Sequence, residues 1–236
     1  MNVLKKVLGL SAVSLVASFN AYADLQCRVP SDNAMSAVVR IVGDGVEGSG
    51  VVIAKNRVLT AAHVIDDLDR IEILRGGIKY TANVIAVMPE KDMALLLVDT
   101  GRQTPLKVSR TRFEPESRVW AVGYPLGGNE VATSGRVTSY RGFDVQTTAS
   151  VNHGQSGGGL LACDQGRFVL AGMVRAFGAT QEGNKLIRLD NYSVSVNSDE
   201  IRNFVVGSAS SAKVLEEFIY GATPDTVASN SLLAQR

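Results

Sequence analysis

Between Val38 and Val196 the sequence is never apolar for long. Runs of aliphatic residues last a few positions each and then give way to glycine, asparagine or charged residues. Val38–Val42, Gly50–Ala54, Arg57–Thr60, Arg70–Leu74, Tyr80–Val87 and Ala94–Val98 read as strands, as do Arg118–Gly123, Val131–Ser139, Asp144–Thr148, Gly158–Cys163, Arg167–Arg175 and Tyr192–Val196. Lys55-Asn56 and Arg75-Gly76-Gly77 are turn signals between them. About a dozen strands with turns roughly every 8–12 residues point to an all-β barrel or sandwich. No βαβ alternation and no repeat at about 20–50 residues is evident. A single small closed barrel needs fewer strands, so two barrels are expected. Asn197 or Ser198 can cap a helix running to about Val206, with Asp199 and Glu200 in its first turn and Gly207 as its stop. Ser208–Ala212 reads as a linker, Lys213–Tyr220 as a further short amphipathic helix, and the residues after Gly221 as a disordered tail.

The first 23 residues read as an export signal. Lys5 and Lys6 form the basic start, Val7–Phe19 a short apolar stretch, and Ala21-Tyr22-Ala23 a small-x-small cleavage site. Maturation is expected at Asp24. An uncleaved anchor is the alternative, but the apolar stretch is too short to span a bilayer comfortably. Removing both lysines and no acid takes the formal net charge from +1 to −1. A nearly neutral chain with no block of like charge gives no reason to expect a nucleic-acid partner or stable membrane insertion after cleavage. A periplasmic or secreted location in a bacterium follows from the signal. The oligomeric state is left open.

Cys27 and Cys163 both lie in the exported part. An even count in an oxidising compartment favours a disulfide between them, tying the N-terminal arm to the segment after the glycine-rich stretch at 154–159. Two separate buried thiols are the alternative. Gln26 is a poor fit to the small residue that a lipid-anchored cysteine at position 27 would need.

Within that glycine-rich stretch stands one serine, in Gly154-Gln155-Ser156-Gly157-Gly158. A phosphate loop needs a lysine beside the hydroxyl residue and a helix after it; here there is no lysine, and a strand-like run follows. The pentapeptide also satisfies the G-x-S-x-G pattern of α/β-hydrolases, in which the catalytic histidine follows the serine. The two histidines here, His63 and His153, both precede Ser156. A serine nucleophile needs a base and a carboxylate to orient that base. "VLTAAHVI" places His63 at the end of a strand, and "KDMALLLVD" places Asp92 at the mouth of an apolar one. The order His63, Asp92, Ser156 is that of chymotrypsin-type proteases and not of subtilisins. Two histidines and two cysteines offer no zinc ligand set, so neither metal nor cofactor is expected.

TAAHV, DMALLLV and GQSGGGL together resemble the three catalytic motifs of trypsin-like serine proteases, and the bacterial HtrA/Deg branch most of all. GSGVVIAKNRVLTAAHVI, with its Gly48-Ser49-Gly50 approach, VGYPLGG (122–128), VATSGRVTS (131–139) and QTTASVNHGQSGGGL (146–160) extend the likeness over roughly residues 36–206. The resemblance implies a domain over 24–207 built of two β-barrels of the chymotrypsin type, roughly 33–105 and 106–207, with a short C-terminal helix and the site in the cleft between the barrels. It implies a serine endopeptidase acting on proteins or peptides. The backbone N–H groups of Gly154 and Ser156 would form the oxyanion hole. Ser150, Val151, His153, Val174, Arg175 and Phe177 would line the substrate groove.

No acid stands at the base of the implied pocket, so small or medium apolar side chains are expected there. His153 is either a substrate contact or an incidental exposed residue, and Arg175 either shapes the groove or is simply solvated. Tyr124 and Pro125 read as turn structure. Gln155 stands where digestive relatives carry an acid that pairs with a newly cut N-terminus, so activation by that route is not expected. HtrA members usually carry Asn at that position and often an acid where Thr148 stands. The roughly 30 residues after Gly207 are too few for the PDZ domains of most HtrA proteins, so regulation through PDZ domains is not expected. Motifs alone do not prove an assembled triad. A catalytically silent binding or chaperone-like module keeping the fold therefore competes with the enzyme reading, as does an enzyme that needs activation.

Overall fold

The computed structural model describes residues 27–211 and residue 213. The export signal, the Asp24 maturation site, nearly all of Lys213–Tyr220 and the tail lie outside the described residues.

Twelve strands close into two barrels. The first contains β1 (Val38–Gly43), β2 (Val46–Ala54), β3 (Arg57–Thr60), β4 (Ile71–Arg75), β5 (Ile78–Met88) and β6 (Met93–Leu97), in the spatial order β1-β2-β3-β6-β5-β4. The second contains β7 (Arg118–Gly123), β8 (Val131–Arg141), β9 (Asp144–Thr147), β10 (Gly159–Asp164), β11 (Arg167–Glu182) and β12 (Lys185–Asn197), in the order β10-β11-β12-β9-β8-β7. Neighbouring strands run antiparallel, and in each barrel one connection, β3 to β4 and β9 to β10, crosses between strands that are not neighbours. Turn chemistry sets the register. Asp44 and Gly45, at φ 44° and 80°, form a two-residue loop that pairs Gly43 with Val46. The expected two-barrel, all-β architecture is therefore present.

Side-chain alternation in the second barrel joins it to the first. On β7, Val119 and Ala121 point into the second barrel's own core, while Trp120 and Val122 join a cluster shared with the first barrel. On β10, Leu160 and Ala162 face inward, and Leu161 faces the shared cluster. That cluster includes Val51, Leu59 and Leu95 from the first barrel and Leu170 and Met173 from β11. The seam between the barrels is thus continuous apolar core, which holds loops from both barrels in fixed relation.

Two short helices flank the sheets. In α1 (Asp32–Ser36), absent from the sequence expectation, Ser31 Oγ accepts from the Ala34 amide. The C-terminal helix α2 (Ser198–Gly207) begins where expected. Asn197 Oδ1 accepts from the amides of Asp199 and Glu200, and Ile201 and Phe204 bury against the shared cluster. The expected linker at 208 does not loosen at once. The Ser208 amide and hydroxyl both donate to the Phe204 carbonyl, and residues 209–211 are helical.

The largest difference from the sequence expectation is the hairpin of β11 and β12. Both strands continue well past the barrel, pairing Ala179 with Arg188 and Glu182 with Lys185. Periodicity could not signal this arm, because its residues are mostly exposed and polar and ladder hydrogen bonds hold it rather than an apolar face.

Cys27 and Cys163 form a disulfide across a sequence separation of 136 residues, tying the N-terminal arm to the end of β10. Constraining so long a loop in the unfolded chain stabilises the fold by about 2–5 kcal/mol. Replacing both cysteines with serine is expected to lower the chemical-denaturation free energy by that amount. A change below about 0.5 kcal/mol would show that the bridge adds nothing.

Candidate active site

Three segments converge at the seam. β3 ends at Thr60, and a single 3-10 turn over Ala62–Val64 then presents His63. Ala61 and Ala62 are buried, so their small side chains let the turn lie flat on the core while the His63 ring stays half-exposed. Beside β3 runs β6, buried at every position. Asp92 sits immediately before it, in a left-handed conformation at φ 55° and ψ 46° that closes the Pro89–Lys91 turn. Aspartate tolerates this region better than most residues.

The consequence is a clamped imidazole. His63 Nδ1 lies 2.8 Å from Asp92 Oδ2 and 3.0 Å from Oδ1, and the His63 backbone amide donates to Oδ1 at 3.0 Å. An ionised carboxylate only accepts, so Nδ1 carries the proton and Nε2 presents a lone pair outward. Burial pushes the Asp92 carboxyl upward. The hydrogen bonds from His63 and the charges of His63 and Arg175 outweigh that, and the net shift is downward. Asp92 therefore stays ionised beside the ring.

Ser156 lies on a turn between β9 and β10 that packs on the same strand end. Gly157, at φ +82°, admits no side chain: a Cβ there would lie 2.1 Å from Ser49 O and 2.3 Å from Thr60 Oγ1. Gly154, at φ +88°, presses on the Tyr124 carbonyl, where a Cβ would approach to 2.5 Å. The nucleophile turn thus abuts both the His63 strand and the loop after β7.

Ser49, fully buried on β2, fixes the turn from behind. Its hydroxyl donates to the Gly154 carbonyl at 2.7 Å and accepts from the Tyr124 amide at 2.9 Å. Its amide donates to the Ser156 carbonyl at 2.9 Å, and its carbonyl accepts from Thr60 Oγ1 at 2.7 Å. The sequence does not point to this role for Ser49 and reads Tyr124 as turn structure. The available signal was a lone hydroxyl between two glycines in an apolar strand.

Backbone accounting identifies which amides remain. Gln155 N donates to Asn152 O, Gly157 N to Val174 O, and Gly158 N to Gln155 O. The amides of Gly154 and Ser156 donate to no acceptor among the described residues. Gln155 itself is buried; its Oε1 accepts from the Asn152 amide at 2.8 Å, while Nε2 has no partner among the described residues. This side chain closes the turn locally.

The expected groove residues are placed in different ways. Val151 and Val174 have buried side chains in the second barrel's core; the Val151 carbonyl accepts from Arg188, and only Val174 meets the serine turn through its backbone. The Val174 carbonyl and amide bind Gly157 and Gly158. Ser150 Oγ accepts from the Asn191 amide. The His153 ring meets Phe177 edge-on, with centroids 4.9 Å apart, and its carbonyl accepts from the Leu126 amide at 2.7 Å. Arg175 pairs with Asp144 at 3.1 Å, and its charge reaches Asp92. Among the described residues no cluster of three or more His, Cys, Asp or Glu side chains is suited to a metal ion.

Residues 48–170 match the sequence profile of the trypsin-like peptidase domain. The chain is similar to the periplasmic pH-dependent serine endoprotease DegQ of Escherichia coli, 36% identical over 132 residues, covering 48% of the chain and 28% of the relative. It is similar to the periplasmic serine endoprotease DegP of Salmonella typhimurium, 34% identical over 129 residues, covering 48% and 27%. The chain thus spans little more than a quarter of the length of these relatives. Among solved structures, the active form of the Rv3671c protease from Mycobacterium tuberculosis superposes with a TM-score of 0.62 at 23% identity, covering 73% of this chain and 80% of that one.

The loop from Tyr124 ends at Glu130, which lines a cavity of about 400 Å³ with Arg40, Arg75 and Tyr124. Glu130 Oε1 is buried without a hydrogen-bond partner among the described residues, and burial pushes the carboxyl up to about 7. The folded state therefore holds this proton where the unfolded chain, with a glutamate near the ordinary value of about 4.3, has lost it. Stability from this group is fully present below about pH 4 and is lost as pH rises through about 7. Glu130→Gln is expected to match the native Tm near pH 4 and exceed it near pH 8.5. The same difference at both pH values would contradict this.

Proposed function

The chain belongs to the trypsin-like peptidase family, and from that premise we propose that it is an exported serine endopeptidase that cleaves peptide bonds in proteins through His63, Asp92 and Ser156. The observation that carries this reading is the pairing of a carboxylate-clamped imidazole with two unengaged amides on the neighbouring serine turn. The names of the relatives, periplasmic serine endoproteases, and the Cys27–Cys163 disulfide support an oxidising, exported location.

In the proposed mechanism, Ser156 Oγ attacks the scissile carbonyl carbon while His63 Nε2 takes its proton. The resulting imidazolium is stabilised by Asp92. The oxyanion binds the amides of Gly154 and Ser156, a contribution typically worth about 100- to 1,000-fold in rate per donor. Collapse of the tetrahedral intermediate breaks the C–N bond, and His63 returns the proton to the departing amine. The Ser156 ester is then hydrolysed by water that His63 deprotonates, and the hydroxyl is regenerated. Beside Ser150, Asp190 is engaged by Arg188, whose guanidinium also donates to the Val151 carbonyl, so this acid is already paired and is not offered to a basic side chain, which supports a preference for small or medium apolar side chains on the acyl side.

A fluorophosphonate probe is expected to label the mature protein at Ser156 and to fail on Ser156→Ala. Peptidase activity should fall by about a million-fold in Ser156→Ala and His63→Ala, while His153→Ala retains measurable turnover. A peptide library should be cut after small or medium apolar residues, and strong cleavage after Arg or Lys would overturn the pocket reading. Absence of labelling in folded protein would favour the catalytically silent binding module.

A further inference from the structure

The loop 124–128 carries a residue that neither folding nor the proposed triad explains. Leu126 occupies the left-handed region at φ 51° and ψ 32°. The other non-glycine residues with positive φ among those described are Asp44, Asn56, Asp92, Glu116, Gln165 and Asn191, all polar. Leu126 alone among them is hydrophobic, and it is 73% exposed, so no packing repays its conformation. It stands at the first central position of a tight turn. The Gly128 amide donates to the Pro125 carbonyl at 2.9 Å, and Gly127 follows at φ 64°. Turns with positive φ at both central positions favour Asn-Gly, because asparagine tolerates the left-handed region and leucine does not. A strained, exposed apolar residue at a functional site is reason to look for what it touches.

Its position supplies the answer. The Leu126 amide donates to the His153 carbonyl, and Gly154 packs against both the Tyr124 carbonyl and the Leu126 nitrogen. Leu126 therefore flanks the N-terminal end of the nucleophile turn, beside the unengaged Gly154 amide. The opposite end of that turn, Gly157–Gly158, is bonded to Val174 on β11, the strand expected to receive the acyl side of the substrate. The chain beyond the scissile bond must leave on the side away from β11, past Leu126. We propose that Leu126 is a specificity-determining residue that contacts the leaving-group portion of the substrate and favours an apolar side chain there. This rests on the peptidase reading above. An isobutyl group held out in water gains by covering a substrate's apolar side chain and gains nothing from glycine.

Two quenched-fluorescence peptides test this. They are identical up to the scissile bond and carry leucine or glycine just after it, with the cut site verified by mass spectrometry. The native protein should show a higher kcat/KM for the leucine peptide. Leu126→Asn should lower the leucine-to-glycine ratio by about five- to tenfold, while Leu126→Met keeps it within roughly twofold. The Tm of Leu126→Asn should equal or exceed the native value, because asparagine suits the turn. An unchanged ratio in Leu126→Asn, or a Tm lowered by several degrees, would overturn the proposal. Fluorophosphonate labelling is run in parallel. Labelling at Ser156 with an unchanged ratio refutes the role of Leu126 alone, whereas no labelling and no cleavage of either peptide removes the peptidase reading and this proposal with it.

Discussion

Ser49 is the point through which the two barrels fix one another's geometry. It lies on a strand of the first barrel, and both of its partners at the site, the 154–156 turn and Tyr124, belong to the second. A buried hydroxyl has one proton to give and lone pairs to accept with, and here both capacities are used. The donated bond sets the orientation of the Gly154–Gln155 peptide, which links the peptides carrying the Gly154 and Ser156 amides. The accepted bond fixes the loop on which Gly154 rests. Because the shared apolar core holds the barrels together, this small polar knot needs only to aim groups, not to hold domains in place.

Charge around the site follows a similar division. Asp92 has Lys91 beside it in sequence, and the charge of Arg175 reaches it from β11. Each cation has its own acidic partner, Glu200 on α2 for Lys91 and Asp144 on β9 for Arg175. The pairs are partly exposed, so their direct contribution to stability is small. Their effect is local. They connect the carboxylate's surroundings to the C-terminal helix and to the second barrel while leaving the Asp92 oxygens to His63.

Much of this was legible in the sequence because each signal was strong on its own physical terms. Residues 57–60 and 118–123 read as strands, and the structure begins and ends them at those residues. Asn197 capped its helix because its side chain can reach two exposed amides. His63, Asp92 and Ser156 were read from order and context, and the structure brings His63 and Asp92 into contact and packs the Ser156 turn on Thr60, at the end of the strand that leads to His63. Other features were not legible. The β11–β12 arm lacks an apolar face, so no periodicity announced it. Ser49 acts through contacts about a hundred residues away in sequence, and no local pattern encodes those. Leu126 broke a turn rule, but the break becomes visible only once the backbone angle is known.

In the proposed mechanism the oxyanion donors depend on a hydroxyl in the other barrel. Steady-state kinetics of Ser49→Ala tests that most directly. Losing this bond leaves the Gly154 carbonyl and the Tyr124 amide without their partner and frees the turn to rotate its donors away from the developing charge. The account predicts a fall in kcat of about 10- to 100-fold, smaller than outright loss of a donor, with KM nearly unchanged and Ser156 still slowly labelled. A variant that folds and turns over at the native kcat would contradict it.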